Sequence, residues 1–247
     1  KKTVAILLAD GFEEIEALAP VDLLRRAGVE VITVGNELVK GSRGISVASD
    51  MGVKDFMQNL TNENLPDAII VPGGLNGTKN LASCKTAQKL ITDMWNEKKL
   101  VCAICAAPVI VLSPLGILKN KKFTCYPTME NDFAEFAGDN WQDKVLGATH
   151  QTDNVVIDEN LITSRGAGTA LEFSNDIIEK LCNKETMEKV KHIWVMGTSG
   201  FGPGNATPVA EFNAFKDPHA FKILSDSGLP ITVIGLDTNV ESTYITR

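Results

Sequence analysis

The stretch Leu100–Pro108, with the sequence LVCAICAAP, constrains the fold of this chain more than any other. Its first five residues are uncharged and apolar, which is typical of a strand buried on both faces of a sheet. Two alanines and Pro108 follow, and proline is tolerated in the first turn of a helix. The stretch therefore predicts a buried strand that turns directly into a helix, with Cys105 at the corner.

A residue at such a strand-to-helix corner lies in a tight turn, and its side chain points out of the carboxyl edge of the sheet. This is the nucleophile-elbow arrangement, with cysteine in place of serine. A helix N-terminus lowers the pKa of a thiol and favours the reactive thiolate. The corner thus indicates a reactive Cys105, but the stretch by itself is equally compatible with a small buried packing residue.

Strands and helices alternate along most of the chain. This alternation predicts a parallel, doubly wound α/β sheet that is covered by helices on both faces. In such sheets, ligands bind in the crevice beyond the carboxyl ends of the strands. Three segments are expected to converge in that crevice: the helix start at Glu13–Glu16, the loop Gly73–Gly74 after the strand at 67–71, and Cys105.

Composition and charge restrict the class of protein. The 247 residues carry a net charge of -7, so a basic surface for nucleic acid is not expected. No apolar run is long enough to span a bilayer, and the N-terminal strand lacks the features of a signal peptide. Five cysteines without a framework spacing indicate a reducing compartment, and a cytoplasmic location is therefore expected.

Four segments of the sequence resemble the ThiJ/PfpI family of DJ-one-like proteins, a class I glutamine amidotransferase-like group. They are Ala9–Gly28, Ala68–Gly74, Val101–Pro108 and Thr163–Phe173, in the family's order. The resemblance implies a flavodoxin-like three-layer αβα sandwich with a mostly parallel sheet, and it implies a homodimer. We predict a family domain at residues 1–190 and a separate segment at residues 191–247.

The resemblance also implies roles for individual residues. The reactive elbow cysteine of the family falls on Cys105, and the glutamate that hydrogen-bonds it falls on Glu16. From its position alone, Glu16 would be a solvated charge in the first turn of a helix. As the partner of a thiolate it needs a raised pKa, which burial beside a negative charge would supply. The backbone N–H groups of Gly74 and Ala106 are expected to form an oxyanion pocket.

Further pocket residues are implied less specifically. Gly73 belongs to the same loop, and Arg43 and Arg165 match arginines near the family's site or dimer surface, although an ordinary surface role is equally compatible. Some family members place a histidine just beyond the strand that ends near Cys125, whereas this chain has Tyr126 there. A Cys–His pair is therefore not expected, and the Tyr126 hydroxyl is available to a substrate oxygen instead.

Other cysteine chemistry is less favoured. Cys102 and Cys105 spell a CxxC pair, but Cys102 lies within the predicted strand, so a redox dithiol is the weaker interpretation. Zinc is not expected because no second ligand pair accompanies the motif. Cys125 is expected to pack, or to be a redox neighbour of Cys105 at the sheet edge, and His150 receives no role. No metal or organic cofactor is predicted.

The tail at residues 191–247 is predicted to be an appended βαβ unit. Its segment Gly204–Asp237 resembles an internal part of the inosine-uridine nucleoside hydrolase family. That resemblance implies ribose-contact remnants at Asn205, Glu211 and Asn213, since a carboxylate and two amides suit a diol. The family's calcium-binding aspartate cluster has no counterpart here, so we predict no nucleosidase activity.

Three functional hypotheses follow. The first is a cofactor-independent enzyme of the glyoxalase III or deglycase type, in which Cys105 attacks a small reactive carbonyl such as methylglyoxal or glyoxal. Glu16 would shuttle the proton, and the N–H groups of Gly74 and Ala106 would steady the oxyanion. The second is a redox-sensing or chaperone-like protein with an oxidisable Cys105. The third is nucleoside or ribose binding by the tail, without hydrolysis.

Overall fold

The protein is described from a computed structural model, which covers residues 1–61, 64–191, 193–196, 218–219, 222, 226 and 231–234. Contacts divide the chain into two units, Lys1–Met187 and Glu188–Arg247. The first unit contains all four segments that carry the family resemblance. Each unit is considered by itself below.

A six-stranded sheet forms the centre of the first unit. The strands of this unit are β1 (Thr3–Leu7), β2 (Glu30–Val34), β3 (Leu38–Lys40), β4 (Ser46–Ala48), β5 (Ala68–Val71), β6 (Leu100–Ile104), β7 (Lys122–Phe123), β8 (Thr149–His150), β9 (Val155–Asp158) and β10 (Leu161–Ser164). The strand order in the central sheet is β2-β1-β5-β6-β10-β9, and neighbouring strands run parallel except for the antiparallel pair of β9 and β10. Two short ladders accompany this sheet, an antiparallel pair of β3 and β4 and a parallel pair of β7 and β8.

Helices cover the sheet and complete the predicted flavodoxin-like α/β sandwich. The first and seventh helices pack together, and the fourth contacts both the second and the third. Among the described residues, none of the helices has the length and apolarity needed to cross a membrane. The helices are α1 (Glu14–Arg26), α2 (Val53–Gln58), α3 (Leu75–Ser83), α4 (Lys85–Asn96), α5 (Phe133–Phe136), α6 (Trp141–Lys144), α7 (Ala170–Leu181) and α8 (Lys184–Lys191).

The central strands are those that the apolar runs predict. Every residue of β5 and β6 is buried, as expected for parallel strands with helices on both faces. β5 lies between β1 and β6, with Ile69 opposite Val101. The carboxyl ends of these strands therefore meet at one edge, where the loop after β5 and the corner after β6 lie side by side.

Three local features differ from the sequence expectation. Leu75–Ser83 forms a helix, although Gly77 gives this segment a low helix propensity. A β-carbon on Gly77 would come within 2.6 Å of the Phe12 backbone nitrogen, so close packing selects glycine there. The turn after the elbow, Pro108–Leu112, is π-helical and is followed by a 3-10 turn at Ser113–Leu115. The polar segment at residues 129–136, for which the sequence favours one helix, is a 3-10 turn, Met129–Asn131, followed by α5.

The second unit contains two described strands, β11 (Ile193–Met196) and β12 (Ile231–Ile234), which pair in parallel. Parallel pairing of consecutive strands requires a crossover connection, in agreement with the predicted βαβ unit. Most of the segment at residues 197–230, between these two strands, lies outside the described residues. The predicted ribose-contact residues lie outside them as well; they are Asn205, Glu211 and Asn213.

Replacement of Leu90 by alanine should test the packing of the first unit. Leu90 is fully buried in α4, so the change should lower the free energy of unfolding by about 2–5 kcal/mol, through lost transfer energy and the cavity that remains. The matched control is Leu171→Ala in α7, where 62% of the side chain is exposed and an effect within about 0.5 kcal/mol is expected. Urea unfolding of both variants measures the difference, and equal losses would contradict the described core.

Candidate active site

The corner after β6 places Cys105 in a left-handed conformation, with φ of +64°. This conformation costs a residue other than glycine about 1–2 kcal/mol, so the surrounding contacts must hold it. The Cys105 N–H donates to the carbonyl of Ser164 at 2.9 Å, and its carbonyl accepts from the Tyr126 N–H at 2.8 Å. The elbow predicted from the sequence is therefore present, and it is fastened to the end of β10 and to the segment after β7.

Glu16 lies in the first turn of α1 and is buried, with 1% of its surface exposed. Its Oε2 atom accepts a hydrogen bond from the Gly73 N–H at 2.9 Å. The carboxyl group also hydrogen-bonds the Cys105 thiol and the Ala167 N–H. Glu13 caps the helix, since its carboxylate accepts from the Glu16 N–H at 2.9 Å. Glu16 is thus a buried partner of the thiol rather than a solvated helix charge.

Burial and coupling set the protonation of this pair. Burial, together with the nearby Glu13 carboxylate, raises the pKa of Glu16 to about 7. Burial and the Glu16 carboxylate raise the pKa of the Cys105 thiol to about 12, against the lowering effect of the Gly74 and Ala106 N–H groups. The helix N-terminus is expected to lower the thiol pKa. While Glu16 is ionised, this effect is outweighed, because a thiolate would place a second negative charge in the same buried site.

Protonation of Glu16 removes this opposition. The neutral carboxyl group carries no charge to repel a thiolate, and its O–H can donate to the sulfur. Below a pH of about 7, both the Glu16 carboxyl group and the Cys105 thiol are protonated. Above that pH, Glu16 is ionised and the pair retains only the thiol proton of Cys105. The two groups therefore form a unit through which a proton can pass during attack by sulfur.

Backbone N–H groups converge on the same sulfur atom. The N–H groups of Gly74 and Ala106 both hydrogen-bond Cys105, as the predicted oxyanion pocket requires. Gly74 has a φ of +89°, and a β-carbon there would lie 2.3 Å from the Gly11 carbonyl oxygen. A β-carbon on Gly73 would lie 2.3 Å from Glu16 Oε2. The two glycines let the loop after β5 reach both the thiol and the carboxyl group.

An open cavity of about 740 Å³ leads to Cys105 and Glu16. Arg43 and Tyr126 line it, and Tyr126 is half exposed. Arg165 is not among the described residues that line this cavity, and its guanidinium donates to the Thr152 carbonyl at 2.8 Å. Of the predicted pocket residues, Arg43, Gly74 and Tyr126 line the cavity, whereas Gly73 and Arg165 are not among its lining residues.

Glu14 was not singled out from the sequence, although it holds a loop that lines the cavity. Its side chain is buried and accepts hydrogen bonds from the Arg43 N–H at 2.7 Å and the Ser42 hydroxyl at 3.2 Å. A β-carbon on Gly41 would lie 2.4 Å from this carboxylate. Glu14 therefore holds the loop that carries Arg43 to the cavity. In the sequence EEIE at Glu13–Glu16, nothing distinguishes the Glu14 carboxylate from its neighbours. The only available signal was Gly41, since a glycine in a loop indicates that another group approaches the backbone closely.

The remaining cysteines take different places. Cys102 is fully buried inside β6, and burial raises the pKa of its thiol well above the ordinary value. This position is unlike the exposed first cysteine of a thioredoxin-type pair. Cys125 is also buried, and its thiol contacts the carbonyl of Tyr126 and the carboxylate of Glu130.

Fold and site together define a class of protein: a flavodoxin-like α/β sandwich with a cysteine nucleophile elbow and a buried glutamate partner from the first helix. The sequence profile of the DJ-1/PfpI family matches residues 2–180. This match covers most of the first unit and includes the elbow, the glutamate and the glycine loop. The chain belongs to the DJ-1/PfpI family.

Individual relatives agree with this assignment. The chain is 38% identical over 185 residues to protein DJ-1 homolog A of Arabidopsis thaliana, covering 74% of this chain and 43% of the plant protein, so it spans less than half of that relative. It is 34% identical over 183 residues to the glutathione-independent glyoxalase DJR-1.2 of Caenorhabditis elegans, covering 73% and 89% of the two chains. The crystal structure of Drosophila melanogaster DJ-1beta superposes with a TM-score of 0.66 at 33% identity, covering 77% and 95%.

The tail has a different relationship. Residues 180–247 match the profile of the inosine-uridine preferring nucleoside hydrolase family. This match begins at the end of α7 and includes β11 and β12. The similarity therefore includes the whole segment 191–247 that the sequence set apart, and it also extends into residues 180–190 of the predicted family domain.

Proposed function

We propose that this protein is a cysteine-dependent enzyme that converts small reactive carbonyls, such as methylglyoxal or glyoxal, into hydroxy acids without a cofactor. The observation that carries the proposal is the Cys105–Glu16 pair, in which a buried carboxyl group with a pKa of about 7 hydrogen-bonds the elbow thiol. A general base works best when its pKa lies near the working pH. The relative named as a glutathione-independent glyoxalase supports the same chemistry.

The first step forms a carbon–sulfur bond. The Glu16 carboxylate takes the thiol proton as the Cys105 sulfur attacks the aldehyde carbon of methylglyoxal. The carbonyl electron pair moves onto oxygen, where the N–H groups of Gly74 and Ala106 stabilise it until it receives the proton. The product of this step is a hemithioacetal, and Glu16 is again ionised.

The second stage moves a proton between neighbouring carbons. Glu16 removes the proton from the hemithioacetal carbon as the adjacent ketone oxygen gains one from solvent, which gives an enediol. The former ketone carbon then takes the proton from Glu16 while the hydroxyl on the sulfur-bearing carbon releases its proton to solvent and becomes the thioester carbonyl, so that one carbon is oxidised as the other is reduced. The resulting thioester is cleaved by water, which releases lactate and returns the Cys105 thiol. Because the oxidation and reduction take place within one substrate, the reaction needs no external electron carrier.

The shape of the cavity bears on the substrate class. Its volume of about 740 Å³ is far larger than a three-carbon dicarbonyl needs, and its mouth is open to solvent. A carbonyl adduct on an amine or thiol of a larger molecule therefore fits beside the elbow as readily as the free compound. Deglycase activity, homodimer formation and a cytoplasmic location belong to the same proposal, since they derive from the family resemblance and the cysteine content.

Redox sensing by Cys105 is the second candidate. Oxidation to sulfenic and sulfinic acid depends on the fraction of resting thiolate and on its exposure. While Glu16 is ionised, burial and the Glu16 carboxylate raise the pKa of the Cys105 thiol to about 12, which keeps that fraction small. Catalysis by base-assisted attack does not need a resting thiolate, because the proton moves during the step. The arrangement thus favours the enzyme over the sensor.

The decisive experiment compares lactate formation from methylglyoxal by the unmodified chain and by its Cys105→Ala variant. Loss of the nucleophile should lower kcat/KM by at least about 1000-fold, as in other enzymes that use a covalent intermediate. The matched control is Cys182→Ala, which removes a half-buried thiol at the end of α7 and should leave the rate unchanged. Turnover that persists in Cys105→Ala would overturn the proposal.

A further inference from the structure

A second group of ligand-type side chains lies outside the Cys105–Glu16 pair. One ligand atom each from Cys125, Glu130 and His150 lies within 4.8 Å of the other two. The Cys125 sulfur is 4.0 Å from Glu130 Oε2, and His150 Nδ1 is 4.0 Å from Glu130 Oε1. In the part of the chain that the structure describes, this is the only such group of three or more cysteine, histidine or acidic side chains.

The fold brings these residues together from two distant segments. In the parallel pair of β7 and β8, Phe123 lies opposite His150, and their rings are 5.5 Å apart. Cys125 is two residues beyond Phe123, so the chain direction carries its side chain toward the same side. Glu130 follows in the 3-10 turn Met129–Asn131. The site is therefore positioned by strand register and by a tight turn rather than by a local sequence motif.

The charges around the sulfur favour a bound cation. The carboxylates of Glu130 and Asp132 and the guanidinium of Arg165 interact electrostatically with the buried Cys125 sulfur. With the thiol ionised, the two carboxylates and the sulfur carry three negative charges against the single positive charge of the guanidinium, which leaves an excess of two negative charges. A divalent cation balances this excess and satisfies the buried sulfur directly, since a metal-bound thiol is deprotonated.

We propose that Cys125, Glu130 and His150 bind a zinc ion. Sulfur, imidazole nitrogen and carboxylate oxygen are the ligands that zinc takes in proteins, whereas calcium and magnesium prefer oxygen alone. Three protein ligands leave the fourth tetrahedral position to water. On binding, the sulfur–zinc bond replaces the S–H bond, and the thiol proton passes to solvent.

The observed spacing is close to that of a metal site. Tetrahedral zinc with ordinary bond lengths holds its ligand atoms about 3.3–3.6 Å apart. The two separations of 4.0 Å end on different oxygens of the Glu130 carboxylate, and all three ligand atoms lie within 4.8 Å of one another. Rotation of the Glu130 and His150 side chains, which are both partly exposed, is needed to bring one oxygen and the imidazole nitrogen to zinc-site separations. The ion would link the segment from Cys125 to Glu130 with the end of β8. This segment contributes Tyr126 to the cavity wall. This inference does not depend on the proposed carbonyl chemistry.

The test uses the full-length chain with Cys105→Ala, which removes the other accessible thiol–carboxyl pair. Equilibrium dialysis against micromolar zinc, followed by metal analysis, should find an ion that is lost in the additional Cys125→Ala variant. Glu130→Gln and His150→Gln should each weaken zinc binding by at least about 100-fold, because even the loss of a residue that only supports a ligand costs about 10–100-fold. Cobalt should give a thiolate charge-transfer band in the near ultraviolet that depends on Cys125.

Matched variants separate this site from adventitious binding. Cys182→Ala, also in the Cys105→Ala chain, should retain both the zinc and the cobalt band. Because Glu130 and His150 are partly exposed, their variants remain informative if Cys125→Ala fails to fold. Zinc binding of equal affinity in Glu130→Gln and His150→Gln, or no binding by the Cys105→Ala parent, would overturn the proposal.

Discussion

Gly73→Ala is expected to lower kcat/KM for methylglyoxal by at least about 100-fold, because small displacements of reacting groups have effects of this size. A β-carbon at position 73 would lie 2.3 Å from Glu16 Oε2 and 2.5 Å from the Cys105 β-carbon, so the Glu16 or the Cys105 side chain must move. Overpacking of this kind also costs about 1–3 kcal/mol of stability. Steady-state kinetics and urea unfolding of the variant measure the two effects.

Gly168→Ala provides the control for this experiment. No heavy atom lies within 4 Å of a β-carbon built on Gly168, and its φ is outside the left-handed region. The same substitution should therefore leave both the rate and the stability nearly unchanged. Equal kinetics for Gly73→Ala and Gly168→Ala would contradict the described packing of the glycine loop against the catalytic pair.

Glu16→Gln is expected to lower kcat by about 100- to 10,000-fold, the range that general acid–base groups contribute. The amide keeps the size of the side chain and can still accept the Gly73 N–H hydrogen bond, so the loss isolates proton transfer. Exchange of the methylglyoxal aldehyde proton with solvent during turnover provides a second readout. A variant that retains full activity would exclude Glu16 as the base.

The same variant makes a prediction about stability and pH. The pKa of Glu16 is raised from 4.5 to about 7 in the folded protein, so the folded state holds this proton more tightly than the unfolded chain. The associated stabilisation is complete below pH 4.5 and is lost as the pH rises to about 7. Relative to Glu16→Gln, the unmodified protein should therefore lose up to about 3 kcal/mol across this window.

Urea unfolding at pH 5 and pH 8 tests this window. The difference in unfolding free energy between Glu16→Gln and the unmodified chain should shift in favour of the variant at the higher pH. Glu37→Gln, which removes an exposed carboxylate, should show no such shift. A constant difference for Glu16→Gln between the two pH values would show that the carboxyl group is not desolvated in the folded state.

Local patterns in the sequence were sufficient for the central strands and the elbow. The apolar runs of β1, β5 and β6 have no other way to avoid water than burial on both faces. The small residues and proline after Cys105 turn the chain into a helical segment at once. The convergence of Cys105, Glu16 and the glycine loop followed from the shared edge of a parallel sheet.

Details that depend on contacts between distant residues were not accessible in this way. The helix α3 has poor propensity, and it forms because Gly77 allows it to pack against Phe12. The proposed zinc ligands belong to two segments that only the β7–β8 pairing joins, so local spacing predicted no metal site. The hydrogen bond from Arg165 to the Thr152 carbonyl likewise joins residues that no local pattern relates.

The amino-acid sequence by itself determined the α/β class, because periodicity is a local property of the chain, and the resemblance of four segments indicated the family and a candidate reactive cysteine at Cys105. The protonation of the Cys105–Glu16 pair was decided by the tertiary structure alone. The helix N-terminus would lower the thiol pKa, but burial and the adjacent carboxylate outweigh it and raise that pKa to about 12. Desolvation and charge proximity depend on which groups fold together, and no local pattern contains that information.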